Sequence, residues 1–200
     1  MAKKLPHISP LFSVLICTMP ERYYSFTSLK ESLEKQIEQN KLSGLVEILS
    51  DGRMDITIGQ KRNDLMQAAK GKFVAFIDDD DEVHTDYLRL IVEAIQNNPE
   101  LDCIGINGEM IFDKIHHRQW FVSIKYEEWH EKDLMFYRTP NHLSPIKREI
   151  AVKCAYPNSS FGEDRFFSDL IFPLLKNEVL IETPLYIYHY SSKSDRLVFR

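Results

Sequence analysis

Three short apolar runs, separated by helix-length stretches, restrict this chain more than any other feature. Leu11 to Cys17, Leu45 to Leu49 and Lys72 to Ile77 are rich in β-branched and aromatic residues, as strands buried on both faces should be. From Ser25 onward Phe26, Leu29, Leu33 and Ile37 recur at helical spacing and form one apolar stripe. Ile58 to Lys70 reads as a second helix with Ile58, Leu65, Met66 and Ala69 inward and Gly71 as its C-cap. A third begins near Thr85, its expected N-cap, buries Leu88, Ile91, Ala94 and Ile95, and closes before Pro99. This β-α-β-α-β-α order predicts an α/β fold with a mostly parallel central sheet flanked by helices and right-handed crossovers.

After Leu101 to Asn107 the rhythm changes. Residues 109–137 carry Trp120, Phe121, Tyr126, Trp129, Phe136 and Tyr137, and read as strands and loops laid over one face. A final helix over Glu163 to Leu175 precedes a strand through Leu185 to Tyr188 and a polar tail.

Composition narrows the class of protein. Of 200 residues, 44% are hydrophobic and 28% charged, too apolar for a disordered chain, and the net charge of −5 offers no global field for nucleic acid or anionic membrane. Cys17, Cys103 and Cys154 are odd in number and far apart, a pattern of reduced thiols rather than of a disulfide framework or zinc knuckle. Pro6 and Pro10 precede an apolar N-terminal run only seven residues long, and no stretch approaches the roughly 20 apolar residues of a membrane span. A cytoplasmic protein without a transmembrane segment is the expectation.

Open α/β sheets bind ligands at the carboxyl ends of their strands, which directs attention to Thr18–Arg22, Asp51-Gly52 and Asp78–Asp81. The four consecutive aspartates are the sharpest signal. Two like charges 4 Å apart repel by about 4 kcal/mol at an effective dielectric of 20. Such a cluster calls for solvation, protonation or a bridging cation, and hard divalent ions such as Mg²⁺ or Mn²⁺ take oxygen ligands and often share them with phosphates. A solvated acidic turn before a helix N-terminus is the plainer alternative. A calcium-binding EF-hand loop starting at Asp78 is excluded, because Val83 and Arg89 stand where Gly and Glu are required. Asp79-x-Asp81 after an apolar strand also looks like the nucleophile motif of haloacid dehalogenase-type phosphatases, although two βα units precede it here.

Several blocks together resemble the family 2 glycosyltransferases of GT-A fold. Phe12 to Thr18 resembles their opening strand, and Ile48-Leu49-Ser50-Asp51-Gly52 their second strand with its aspartate. Gln60-Lys61-Arg62-Asn63, then Ala69 to Phe73 and Phe76 to Asp81, tracks the family's run into its DxD motif, and Gly162-Glu163-Asp164-Arg165 resembles the late Glu-Asp motif. The resemblance implies one domain over 1–200, with a nucleotide-binding half over 1–107 and an acceptor-side half with a C-terminal flap over 108–200. It also implies transfer of a sugar from a nucleotide-diphosphosugar, a UDP-sugar first, to a carbohydrate or glycoconjugate hydroxyl. Mn²⁺ or Mg²⁺ would assist.

The resemblance also implies roles for individual residues. Asp80 leads as metal ligand, with Asp78 on the ribose or the metal; Asp79 and Asp81 leave the register open between donor and metal. Thr18 and Asp51 would line the nucleobase pocket, unless Asp51 merely forms the Asp-Gly turn. Pro20, Glu21 and Arg22 sit where donor contacts occur, where a surface ion pair is the alternative. Lys61 and Arg62 could hold diphosphate or ribose, with only one of the two expected to point inward. Asp164 matches the general base of inverting members and Glu163 would orient the acceptor, against the plainer reading of a carboxylate pair at a helix N-terminus. His189 is a third metal ligand or a packed residue, and Ser191, Ser192 and Lys193 form a flap over the diphosphate. Asn141 to Pro145 fall where acceptor contacts are common. Trp120, Trp129 and Tyr137 are sugar-stacking platforms or core. The chain is short for this family, so another domain or subunit could complete the acceptor site. The phosphatase and a non-catalytic nucleotide-sugar-binding domain stand as alternatives.

Overall fold

In the computed structural model, which describes residues 9–190, β1 (Phe12–Cys17) leads through a 3-10 turn at Pro20–Arg22 to α1 (Tyr23–Gln39), β2 (Val46–Asp51), α2 (Ile58–Ala68) and β3 (Phe73–Phe76). β1 lies between β2 and β3, parallel to both. Its alternation places Phe12, Val14 and Ile16 in one core and Leu15 in another, and β3 does the same with Phe73, Ala75 and Ile77 against Val74 and Phe76. Both faces of these strands are covered, which is why their sequences are apolar without a break.

β4 (Glu82–Val83) and α3 (Tyr87–Asn97) follow, and α1 and α3 cover the first core through Leu29, Leu33, Leu88 and Ile91. The next elements are β5 (Cys103–Phe112), β6 (His116–Val122), β7 (His130–Lys132), β8 (Met135–Arg138), β9 (Ile146–Lys147), α4 (Arg148–Ala151), α5 (Glu163–Ile171), β10 (Glu178–Leu180) and β11 (Tyr186–Tyr190). Leu65 and Met66 of α2, Ala151 of α4, and Phe167 and Ile171 of α5 cover the second core. The sheet order is β2-β1-β3-β9-β5-β6-β8-β7, with β10 and β11 both paired to β5 and β4 paired to β11.

The ten-residue β5 joins the two halves. Its start pairs antiparallel with β9 and parallel with β10; its end pairs antiparallel with β6 and parallel with β11. Gly108 makes this crossing possible, because a Cβ there would lie 2.0 Å from the Tyr186 carbonyl oxygen.

Three local expectations are corrected. Gly71 does not cap α2 in a left-handed conformation; Ala69 ends the helix, and Gly71 is needed because a Cβ would lie 2.4 Å from Ser13 Oγ and 2.6 Å from Ser13 N. Ser13, fully buried, donates from Oγ to Glu47 (2.6 Å) and accepts from Gly71 N (2.8 Å), so its hydroxyl is satisfied inside the core. Thr85 does not cap α3. Asp86 occupies that position and accepts from Arg89 Nε at 2.9 Å instead of from a helix N–H. Residues 109–137 do not lie over a face; they extend the sheet edgeward through β6, β8 and β7.

Candidate active site

The carboxyl ends of β1, β2 and β3 lie side by side. Cys17 is in register with Asp51, Thr18 N donates to the Asp51 carbonyl at 2.9 Å, and Ile77 N donates to Leu15 O at 3.0 Å. Thr18, Asp51 and Asp78 therefore follow three adjacent parallel strands. Four aspartates at one strand end would repel, and the fold resolves this by giving each a different surrounding.

Asp78 accepts from Arg62 Nη2 at 3.3 Å and lies 3.4 Å from His142 Nε2. Burial opposes its charge, yet His142, Arg62 and Arg22 hold its carboxyl well below the usual range. Asp79 and Asp80 share Arg22 Nη1, at 2.8 and 2.9 Å. Asp79 is buried and its second oxygen has no hydrogen-bond partner among the described residues. Asp80 is half-exposed, and burial together with Asp78 and Asp79 raises its carboxyl despite Arg22. Asp81 is buried, accepting from the Tyr186 hydroxyl (2.8 Å) and from His189 N (2.8 Å). Burial and the charge of Asp78 push its carboxyl up. The Tyr186 oxygen also accepts from Asp78 N at 3.1 Å, so one phenol ties both ends of the aspartate turn.

Arg62 and Lys61 are both buried, where only one was expected inward. Lys61 Nζ donates to the Thr18 carbonyl at 2.9 Å, bracing the end of β1. Arg62 lies over the rings of Phe76 and Tyr156 and reaches Glu163 Oε1 at 3.4 Å as well as Asp78. One guanidinium thus joins the aspartate turn to the first residue of α5. The neighbouring Asn63 holds the chain before α5, its amide exchanging hydrogen bonds with Tyr156 O (2.9 Å) and Tyr156 N (2.8 Å).

Glu163 is buried on Arg62, while Asp164 is half-buried and accepts from Arg165 N at 2.7 Å. Gly162 precedes them with φ +72°, a left-handed conformation that glycine adopts at little cost. Asp51 is bound by Arg53, which also reaches Asp64; these contacts hold the Asp51 carboxyl below its ordinary value. Pro20 and Glu21 are exposed, whereas Arg22 turns into the aspartates. The Cys17 thiol, pushed by burial up to about 11, is not a nucleophile.

Other assigned residues lie elsewhere. His189 Nε2 lies 3.0 Å from Glu82 Oε1, so its ring is engaged away from Asp78 and Asp80. Both Asp81 oxygens already accept hydrogen bonds. Among the described residues no three His, Cys, Asp or Glu side chains converge as a metal-ligating group. Ser192 and Lys193, the expected flap, lie outside the described residues. Trp120 is buried against Tyr186, and Tyr137 is stacked between Phe121 and His130, so neither offers a free face to a sugar. Sequence reasoning missed Arg53 and Tyr186 and did not pair His142 with Asp78. Their partners lie 2, 105 and 64 residues away, and only the Arg53–Asp51 pair was close enough to be read from spacing.

This doubly covered parallel sheet, with acidic residues at its strand ends and an antiparallel extension, is the GT-A fold. Glycosyl transferase family 2 matches residues 29–156, and the chain belongs to that family. No curated protein matches it. Among solved structures, S. aureus TarS 1-349 in complex with UDP is similar with a TM-score of 0.64 and 19% identity, over 94% of this chain and 62% of that one. The same protein in complex with UDP-GlcNAc gives 0.62 and 14%, over 90% and 58%. The likeness is one of fold, and this chain spans about three fifths of the length of those structures. No described helix is long and apolar enough to cross a membrane.

Proposed function

We propose that this chain transfers a sugar from a nucleotide-diphosphosugar, a UDP-sugar first, to an acceptor hydroxyl with inversion at the anomeric carbon. The observation that carries this reading is the Arg62 bridge: one buried guanidinium contacts both Asp78, on the donor side, and Glu163, beside Asp164. A leaving diphosphate and an attacking hydroxyl are thereby served by groups fixed relative to each other, as proximity catalysis requires. That two of the similar structures are complexes with UDP and UDP-GlcNAc supports the donor class.

In this reading Thr18 and Asp51 line the nucleobase and ribose, with Arg53 exchanging Asp51 for the base. Lys61 and Arg62 hold the pocket wall. Asp164 accepts the proton of the acceptor hydroxyl as the sugar carbon is attacked. Glu163, buried on Arg62, positions the start of α5 and does not itself reach the acceptor. Asp80 and Asp78 fit a hard divalent cation, Mn²⁺ or Mg²⁺. Their oxygens are the right donors, and Asp80 is half-exposed, with Oδ1 on Arg22. When bound, such an ion supplies charge stabilisation to the departing diphosphate. Against the phosphatase alternative, Asp79 is buried and paired with Arg22, which shields it from an incoming phosphate ester.

Isothermal calorimetry with UDP and Mn²⁺, paired with a donor-hydrolysis and transfer assay, tests the reading. Wild-type protein is expected to bind UDP and turn over a UDP-sugar. Asp164→Asn should keep UDP affinity and lose roughly 10²-fold or more in turnover. UDP binding without turnover by the wild type would leave the non-catalytic alternative; an unchanged Asp164→Asn rate would remove the base.

A further inference from the structure

Eight arginines lie among the described residues, and seven of them donate to an oxygen. Arg22, Arg53, Arg62, Arg89, Arg118 and Arg165 pair with carboxylates, and Arg148 with the Met66 and Gln67 carbonyls. Arg138, at the end of β8, is the exception. Among the described residues no carboxylate, carbonyl or hydroxyl accepts from its guanidinium.

Its surroundings are built. The guanidinium lies over the Trp129 ring at 4.8 Å, with Arg165 over the same ring at 4.9 Å. Trp129 is itself anchored, its Nε1 donating to Thr139 Oγ1 at 2.9 Å and lying 3.3 Å from Ser168 Oγ on α5. A guanidinium stacked on an aromatic face keeps its in-plane N–H fork available for a bidentate partner. Arg138 also lines an open cleft of about 230 Å³, together with Trp129, His130 and Tyr137. Glu131, the one carboxylate on that wall, is paired with Arg118 at 2.9 Å. Burial lowers Arg138 from its ordinary value, opposed by Tyr188 and Asp164, and the guanidinium remains a cation. Arg165, which shares the Trp129 ring with Arg138, directly follows Asp164 in α5, and Ser168 of the same helix lies against Trp129 Nε1, so this cation lies against the helix that carries Asp164.

We propose that Arg138, held over the Trp129 ring, is an acceptor-side oxyanion subsite, so that the acceptor carries a phosphate ester or a carboxylate near the hydroxyl presented to Asp164. This rests on the transferase reading for the identity of the ligand as acceptor, while anion binding at Arg138 stands or falls by itself. The fork would take two oxygens of the acceptor's anionic group, and the cleft floor would receive its neighbouring atoms. A neutral acceptor would leave the guanidinium without a partner.

Two matched pairs of probes test it on the intact chain with UDP present: glycerol 3-phosphate against glycerol, and glucuronate against glucose. Binding is read by calorimetry and by Trp129 fluorescence, assigned with Trp129→Phe. At least one charged probe is expected to bind tenfold or more tighter than its neutral counterpart, and whichever pair shows the preference names the oxyanion. Arg138→Gln should abolish the preference and leave UDP affinity unchanged, and Arg138→Lys should restore only part of it. Equal or absent binding of charged and neutral probes by the wild type overturns the subsite, as does a preference that survives Arg138→Gln. Should Arg138→Gln fail to fold, the wild-type comparison and Arg138→Lys decide. Loss of UDP binding with a persistent anion preference would instead indict the transferase reading.

Discussion

The two regions of this sheet that the proposed function assigns to donor and acceptor handle charge in opposite ways. At the ends of β1–β3 nearly every charged group is matched: Asp78 with Arg62 and His142, Asp79 and Asp80 with Arg22, Asp51 with Arg53, Lys61 with the Thr18 carbonyl. Across β8 and the start of α5, among the described residues, Arg138 has no oxygen partner and Asp164 accepts only from a backbone N–H. A matched network fixes geometry before a ligand arrives, whereas an unmatched pair leaves its free energy for the ligand. The contrast fits a site that must hold one defined donor and admit an exchangeable acceptor.

The comparison can be broken most directly at Arg62. Arg62→Met leaves Asp78 and Glu163 facing each other without their shared cation and should cost about 3–5 kcal/mol, the range for breaking a buried ion pair. Denaturant unfolding at neutral pH measures it. A loss under about 1 kcal/mol would show that the network is not mutually dependent.

Asp80→Ala should weaken Mn²⁺-dependent UDP binding by at least about tenfold, some 1.4 kcal/mol, with little loss of stability because Asp80 is half-exposed. Calorimetry that returns full affinity would detach Asp80 from the donor.

Asp81 sharpens the contrast within the aspartate turn itself. Its carboxyl is raised in the fold, so the native state holds the proton more tightly than the unfolded chain. The stability it contributes is complete below the ordinary aspartate pKa and is lost as pH rises toward its raised value. Asp78 is lowered, and its contribution runs the other way, present above the ordinary value and lost in acid. Asp81→Asn removes this titration and should therefore flatten the decline in stability above about pH 4. Thermal melts from pH 4 to 8 test this, and parallel curves for the two proteins would contradict it.

The smallest effect is expected where the two sides are tied. Thr57 caps α2 by accepting from Gln60 N at 3.1 Å and donates to Asn158 Oδ1 at 2.7 Å in the loop before α5. Thr57→Ala should cost about 1 kcal/mol, the usual value of an N-cap. Chemical denaturation would resolve it.

The region of β1–β3 was also the more legible half. Phe12 to Cys17 could be read as a central strand because both its faces are apolar, and α1 because Leu29 and Leu33 recur at helical spacing. Gly71 misled because glycine serves two ends, left-handed caps and close approach, and only the position of Ser13 distinguishes them. Lys61 and Arg62 were expected to divide between solvent and site, since a cationic pair on a helix is ordinarily solvated. The fold buries both by supplying a carbonyl at one and two carboxylates at the other. The antiparallel extension was blurred because β6, β7 and β8 are short and rich in aromatics that suit either core or surface. Arg138 carried no signal at all, as an arginine without an oxygen partner among the described residues is defined only by what the fold keeps away from it.

The phenol of Tyr186 has a consequence for how the molecule comes into being. It accepts from Asp78 N and donates to Asp81, so the residue that sets the aspartate turn belongs to the last described strand. A truncated fragment stopping at Asn107 would contain all four aspartates yet lack the latch that shapes them. On the ribosome, the aspartate turn would stay unlatched until Tyr186 had emerged.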